Sequence, residues 1–93
     1  MSKKIINLVY IFDKTEEIEL KINSKILSVN FYKGFIAISV LSDIDEVNYQ
    51  LYNFKIISRS VDIDSFNTYE YLGNIIDDNS QIKYIFYQKG ECI

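Results

Sequence analysis

Two aromatic residues flank a lysine in the segment Tyr32-Lys33-Gly34-Phe35, and a second aromatic pair, Tyr69 and Tyr71, follows Lys55 and Arg59. Aromatic faces stack on planar rings at little entropic cost, and a neighbouring cation can neutralise an anionic group attached to such a ring. Tyr32, Lys33, Phe35, Lys55, Arg59, Tyr69 and Tyr71 are therefore the candidate ligand-binding residues, of types that could clamp a nucleobase and its phosphate. One phosphate needs only one or two cations and a few backbone amides, and Lys33, Lys55 and Arg59 can supply the cations. The chain has eight tyrosines in 93 residues. Tyrosine is also a good strand residue favoured by A/T-rich codons, so many of the eight need no site to explain them.

Other chemistry is poorly provided for. Histidine is absent, which removes the commonest general base, the commonest metal ligand and every Ser-His or Cys-His nucleophile pair. Carboxylates cluster in Asp43, Asp45 and Glu46 and again in Asp62 and Asp64. Both clusters fall between strands, where short acidic side chains act as solvated turn formers, and neither has the glycine and distal glutamate of a calcium loop. Gly34, Gly73 and Gly90 stand too far apart to form a phosphate-cradling loop. Cys92 is the only cysteine, so no internal disulfide can form. The residues give no reason to expect an enzyme, a bound metal or a cofactor.

The elements that must position these residues read as strands. A turn at Lys33-Gly34 makes Lys25 to Leu41 a hairpin in which Phe31 pairs with Ile36, Val29 with Ile38 and Leu27 with Val40, all apolar. The alternate pairs are Tyr32 with Phe35, Asn30 with Ala37, Ser28 with Ser39 and Ile26 with Leu41, a more mixed face. A slip of one residue would turn the apolar set outward, so burial pins the register. Gly34 supplies the positive φ of a tight turn.

Upstream, the pattern predicts a second hairpin. With Asp13-Lys14-Thr15 as its turn, Tyr10 lies opposite Ile18, Leu8 opposite Leu20 and Ile6 opposite Ile22. Ile5, Val9 and Ile11 then form an outer face more apolar than water favours, a surface for the C-terminal segment or another subunit to cover. Downstream, a strand from Val47 to about Ser58 changes parity between Leu51 and Phe54, which predicts a β-bulge near Tyr52-Asn53. Asp62-Ile63-Asp64-Ser65-Phe66-Asn67 reads as a loop or a single helical turn. Strands follow over Thr68 to Ile76 and Gln81 to Gln88, joined by a turn at Asp77-Asp78-Asn79-Ser80.

The fold class is thus all-β: one domain, residues 1–93, built as a small antiparallel sandwich or partly closed barrel of six to seven strands. Hydrophobic residues make up 48% of the chain, rich in Ile, Tyr, Phe and Val, as a packed sheet protein requires. No apolar run approaches the roughly 18 to 20 residues of a membrane span, and the N-terminus lacks a signal-peptide pattern, so a cytosolic protein without membrane contact is expected. A net charge of −3 speaks against general nucleic-acid binding, which needs a basic stripe.

Ile26-Leu27-Ser28-Val29, Phe54-Lys55-Ile56 and Tyr71-Leu72-Gly73 follow the order and spacing of motifs in a family of short bacteriophage proteins of unassigned function, which the whole chain resembles. Two departures stand out. The family's proline before its first motif is replaced by Lys21-Ile22-Asn23-Ser24, and its Thr-Gly-His stretch falls at Ser58-Arg59-Ser60. The resemblance implies a phage protein acting in the host cytoplasm as an accessory that counters bacterial immunity by binding. Its implied partners are a small nucleotide immune signal, sequestered by a homo-oligomer, or a host defence protein such as a CRISPR nuclease. A minor virion component is the third class.

Overall fold

The hairpin around Lys33-Gly34 is central to the fold in the computed structural model, which describes residues 3–11, 16–58 and 68–93. Among these residues seven strands run in order: β1 (Lys4–Ile11), β2 (Glu16–Lys21), β3 (Lys25–Tyr32), β4 (Phe35–Asp43), β5 (Tyr49–Ile57), β6 (Glu70–Ile76) and β7 (Ile82–Cys92). They form two antiparallel sheets, β1-β4-β3 and β2-β5-β7-β6. The architecture is an open all-β sandwich rather than a closed barrel. Its core draws Ile11, Ile36, Ile38 and Val40 from the first sheet and Leu20, Tyr52, Phe54, Ile75 and Ile85 from the second. Among the described residues no helix is long and apolar enough to cross a membrane. The segment 62–67, expected to be a loop or helical turn, lies outside the described residues.

In the hairpin, Phe31↔Ile36, Val29↔Ile38, Asn30↔Ala37, Tyr32↔Phe35 and Ser28↔Ser39 pair as expected. Lys33 and Gly34 have φ of 49° and 84°, the two left-handed positions of a tight primed turn. Further from the turn the expectation fails. A bulge between Ile26 and Ser28 shifts the register, so Ile26 rather than Leu27 lies opposite Val40. The extra residue is Leu27, which is exposed, while Ile26 packs against the core.

The upstream hairpin does not form. β1 pairs with β4, from Lys4↔Asp43 to Ile11↔Ile36, while β2 pairs with β5, from Glu16↔Phe54 to Lys21↔Tyr49. The proposed turn at 13–15 lies outside the described residues. β4 and β5 are inner strands that need a hydrogen-bonded neighbour on each side, and β1 and β2 supply the missing ones. The sides of β1 are consequently reversed from the expectation: Ile11 is fully buried and Val9 packs on the core, whereas Ile6, Leu8 and Tyr10 face water.

β5 also departs from the sequence reading. Its pairing with β2 is uninterrupted, and Tyr52, Phe54 and Ile56 all point inward, so there is no change of parity. The irregularity lies across from it on β7, where the register shifts between Gln50↔Cys92 and Tyr52↔Lys89. Leu51 sits under Gly90 there: a Cβ on that glycine would come within 3.3 Å of the Leu51 Cβ and carbonyl oxygen. Close cover by backbone explains how an outward-facing leucine avoids full exposure. The β6–β7 turn forms as expected, with Asp77 Oδ1 accepting from the Asn79 and Gln81 amides at 2.9 and 3.0 Å, and β7 runs on past Gln88 to Cys92.

Candidate functional site

The direction of the hairpin positions the site. Ile36 points into the core, so Phe35 and its cross-strand partner Tyr32 point out from the first sheet. Tyr10 on β1 joins that face opposite Ala37 and sets its ring edge-on to Phe35 at a centroid distance of 6.2 Å. Lys33, held in the turn, places its Nζ over the Tyr32 ring, 5.3 Å from the centroid. Together Tyr10, Tyr32, Lys33 and Phe35 line an apolar cavity of about 290 Å³. All three rings remain 40 to 48% exposed.

Three sequence-predicted residues, Tyr32, Lys33 and Phe35, are thus brought together. Tyr10 is the residue that sequence reasoning missed. The signal was its parity: once Val9 and Ile11 are taken as core, Tyr10 must share the outward face with Phe35.

Lys55, Tyr69 and Tyr71 form a separate group on the outer face of the second sheet. Lys55 lies opposite Phe86, and Phe86 opposite Tyr71, giving a row across β5, β7 and β6. The Tyr71 and Phe86 rings are 5.4 Å apart, and the Lys55 Nζ lies 4.6 Å from the Tyr69 ring centroid. The Tyr71 hydroxyl accepts from Asn74 Nδ2 at 2.9 Å. This group and the hairpin group face away from each other across the sandwich, so one chain cannot close both on one ligand. Arg59 lies outside the described residues.

A second cavity of about 300 Å³ lies at the same end of the molecule, between the hairpin turn and the β6–β7 turn, lined in part by Gly34, Asp77, Asp78 and Lys83. Lys83 is an inward-facing lysine on β7, nearly buried, with its Nζ 3.1 Å from Asp77 Oδ2. Two carboxylates against one already paired ammonium disfavour an anion there, whereas Lys33 meets no carboxylate in the lining of the aromatic cleft. The aromatic cleft is the better candidate.

The acidic loop after β4 is occupied with its own backbone. Asp43 Oδ1 accepts from the Asp45 amide at 3.0 Å, and Glu46 Oε2 accepts from the Val47 and Asn48 amides at 3.0 and 3.2 Å. These are turn-forming roles. Asp62 and Asp64 lie outside the described residues. Among the described residues no group of three or more His, Cys, Asp or Glu could hold a metal ion.

Two phenols are strongly influenced by their surroundings. The Tyr87 hydroxyl donates to Glu70 Oε2 at 2.6 Å, and that hydrogen bond, with burial and the carboxylate's charge, pushes its pKa up to about 12. Burial, then the charge of Glu70, raises Tyr52. Both remain protonated near neutrality and serve as structural rings, stacked 6.3 Å apart. No protein-family model, curated protein or solved structure matches the chain.

Proposed function

We propose that the protein is a non-catalytic binding module that sequesters a small nucleotide-type ligand in the cleft of Tyr10, Tyr32, Lys33 and Phe35. The observation that carries this reading is the cleft's composition: three half-exposed rings around an apolar cavity with one cation at its rim. Three half-exposed rings around one cleft form an apolar surface that a planar ring stacked among them would remove from solvent. The cavity of about 290 Å³ is at the small end of ligand sites, enough for one base with its phosphate directed toward Lys33. A larger cyclic dinucleotide would extend beyond it.

Lys33 supports the reading in a second way. It occupies a left-handed backbone position that Asn, Asp or Gly would fill with less strain. Strained backbone tends to persist where a side chain is needed. In the setting implied by the resemblance to phage proteins, the ligand would be a nucleotide signal of bacterial immunity, bound in the host cytoplasm.

Calorimetry against cyclic di- and trinucleotides and ADP-ribose-type signals, with the ligand recovered after denaturation, tests the proposal. Tyr32→Ala and Tyr10→Ala should each weaken binding about 5- to 150-fold, the effect of removing one stacking face. Lys33→Ala should weaken binding and reduce its salt dependence. Binding to none of the panel would favour the alternative, a protein-directed blocker of a host defence protein. Recovery of degraded ligand would overturn the non-catalytic claim.

A further inference from the structure

We infer that the open edge of β1 pairs with the same edge of a second copy, joining two first sheets into one six-stranded sheet. Among the described residues the sandwich has four edge strands, β1 and β3 in one sheet and β2 and β6 in the other. An edge strand exposes unpaired amides and carbonyls, and folded proteins blunt such edges with charges, bulges or cover. Three of these edges are blunted. β2 carries Glu17, Glu19 and Lys21 on its outward side. β3 and β6 each contain a bulge, and they pack so closely that a Cβ at Gly73 would lie 2.9 Å from Val29 Cγ1.

β1 has none of these devices. Its register against β4 is unbroken over all eight residues, and from Ile5 to Ile11 it has no charge. Its outward row is apolar and open, with Ile6 at 64%, Leu8 at 52% and Tyr10 at 47% exposed. Nothing pairs with its free edge among the described residues.

The occupant that fits this edge is a second copy, because the row is self-complementary. Antiparallel pairing about a two-fold axis at Leu8 sets Leu8 on Leu8 of the second copy, and Ile6 and Tyr10 on that copy's Tyr10 and Ile6. It keeps every inward residue on the inward side, so Val9 lies across from Asn7 and Ile11 across from Ile5. Lys3 and Lys4 of the two copies fall at opposite ends, clear of each other. Such pairing covers one strand only, well short of a standard interface, so the backbone hydrogen bonds of the edge must supplement it and the dimer should be a weak, concentration-dependent one. The two aromatic clefts then open on the same side of the continuous sheet, with Ile6 of the second copy beside Tyr10. The dimer does not depend on what the clefts bind.

Sedimentation velocity from micromolar to near-millimolar protein should show a monomer passing to a dimer. Leu8→Lys and Ile6→Lys, each at a well-exposed position and each verified as folded by circular dichroism, should hold the protein monomeric. Ile76→Lys, an equally exposed change on the second sheet, should leave the dimer intact. Pairing about Leu8 brings its Cα atoms to about 4.5–5.5 Å, within disulfide range. Leu8→Cys in a Cys92→Ser background should therefore cross-link to a dimer under mild oxidant, and Ile76→Cys in the same background should not. A monomer at every concentration, a dimer that survives both lysine substitutions, cross-linking through Ile76→Cys, or a monomer that takes up an unrelated extended peptide along β1 would each overturn the inference.

Discussion

Replacing Gly73 with alanine tests a close contact between the two sheets. A Cβ at this position would lie 2.9 Å from Val29 Cγ1, and valine is stiff about χ1, so it cannot swing aside at small cost. Gly73 is not among the residues with positive φ, so the alanine meets no backbone strain. Alone, restricting the unfolded chain would make Gly73→Ala stabilising by about 0.4–1 kcal/mol. Overpacking a closely fitted interior costs about 1–3 kcal/mol, so the contact should reverse the sign and leave a net loss of about 1–2 kcal/mol. For a domain of this size the melting temperature should fall by roughly 4–16 °C. Urea unfolding of Gly73→Ala, Val29→Ala and the double variant completes the cycle. Val29→Ala is destabilising alone because it removes methyls packed on the core, but it also clears the space the alanine needs, so the double variant should be more stable than the sum of the single losses predicts by about 1 kcal/mol. Gly34→Ala, which meets nothing within 4 Å and suffers only from its φ of +84°, should show no such coupling to Val29→Ala. A stabilised Gly73→Ala, or single losses that add within about 0.5 kcal/mol, would refute the argument that this contact sets the spacing of β3 and β6.

Other outcomes follow from single groups. Tyr52 is wholly buried and its hydroxyl has no hydrogen-bond partner among the described residues, so Tyr52→Phe should raise stability by about 1 kcal/mol in urea unfolding; a loss of that size would show that the hydroxyl is satisfied. The Tyr87 pKa of about 12 lies above its ordinary 10.0, so the folded state holds that proton more tightly. Its stabilisation should be complete below about pH 10 and be lost as pH rises toward 12, and Glu70→Gln should flatten this loss and lower the highest tyrosine pKa seen by ultraviolet absorbance. Lys33→Asn should stabilise the hairpin by about 0.5–1 kcal/mol by relieving its left-handed backbone while weakening nucleotide binding, and a variant that gained stability with unchanged affinity would remove Lys33 from the site.

The all-β class, the central hairpin and the β6–β7 turn were legible because each rests on local rules. Alternation set the inward row of Ile36, Ile38 and Val40, Gly34 marked the turn, and Asp77 capped the next turn with its own carboxylate. The misplaced bulges have a different origin. Leu27 and Ile26 are equally apolar, so sequence could not say which would be squeezed out of the ladder, and the parity change read into β5 was the work of Gly90 covering Leu51 from the neighbouring strand. Lys83 in the interior was equally hidden, since its place depends on Asp77 arriving from the turn six residues earlier.

The wrong partner for β1 and the omission of Tyr10 have one cause. Ile5, Ile6, Leu8, Val9, Tyr10 and Ile11 are apolar on both parities, so alternation cannot decide which row is buried or which strand lies alongside. Competition for the core decides it. Val9 and Ile11 meet Ile38 and Ile36 across the ladder, and the other row is then turned outward by geometry. Along that row the environment changes from residue to residue. Tyr10 reaches Phe35 and becomes a wall of the cleft, while Ile6 and Leu8 are left beside the open edge. A strand that is apolar on both faces, with only one covered by its own chain, holds surface suited to another molecule. The two proposals made above both draw on that surface: the proposed ligand would use the Tyr10 ring, and the proposed second copy would cover Ile6 and Leu8 and set its own Ile6 beside Tyr10. They can be tested apart, because the Tyr10–Phe35 contact lies within one chain and does not need the edge to be paired, while Leu8→Lys alters the edge without touching that contact.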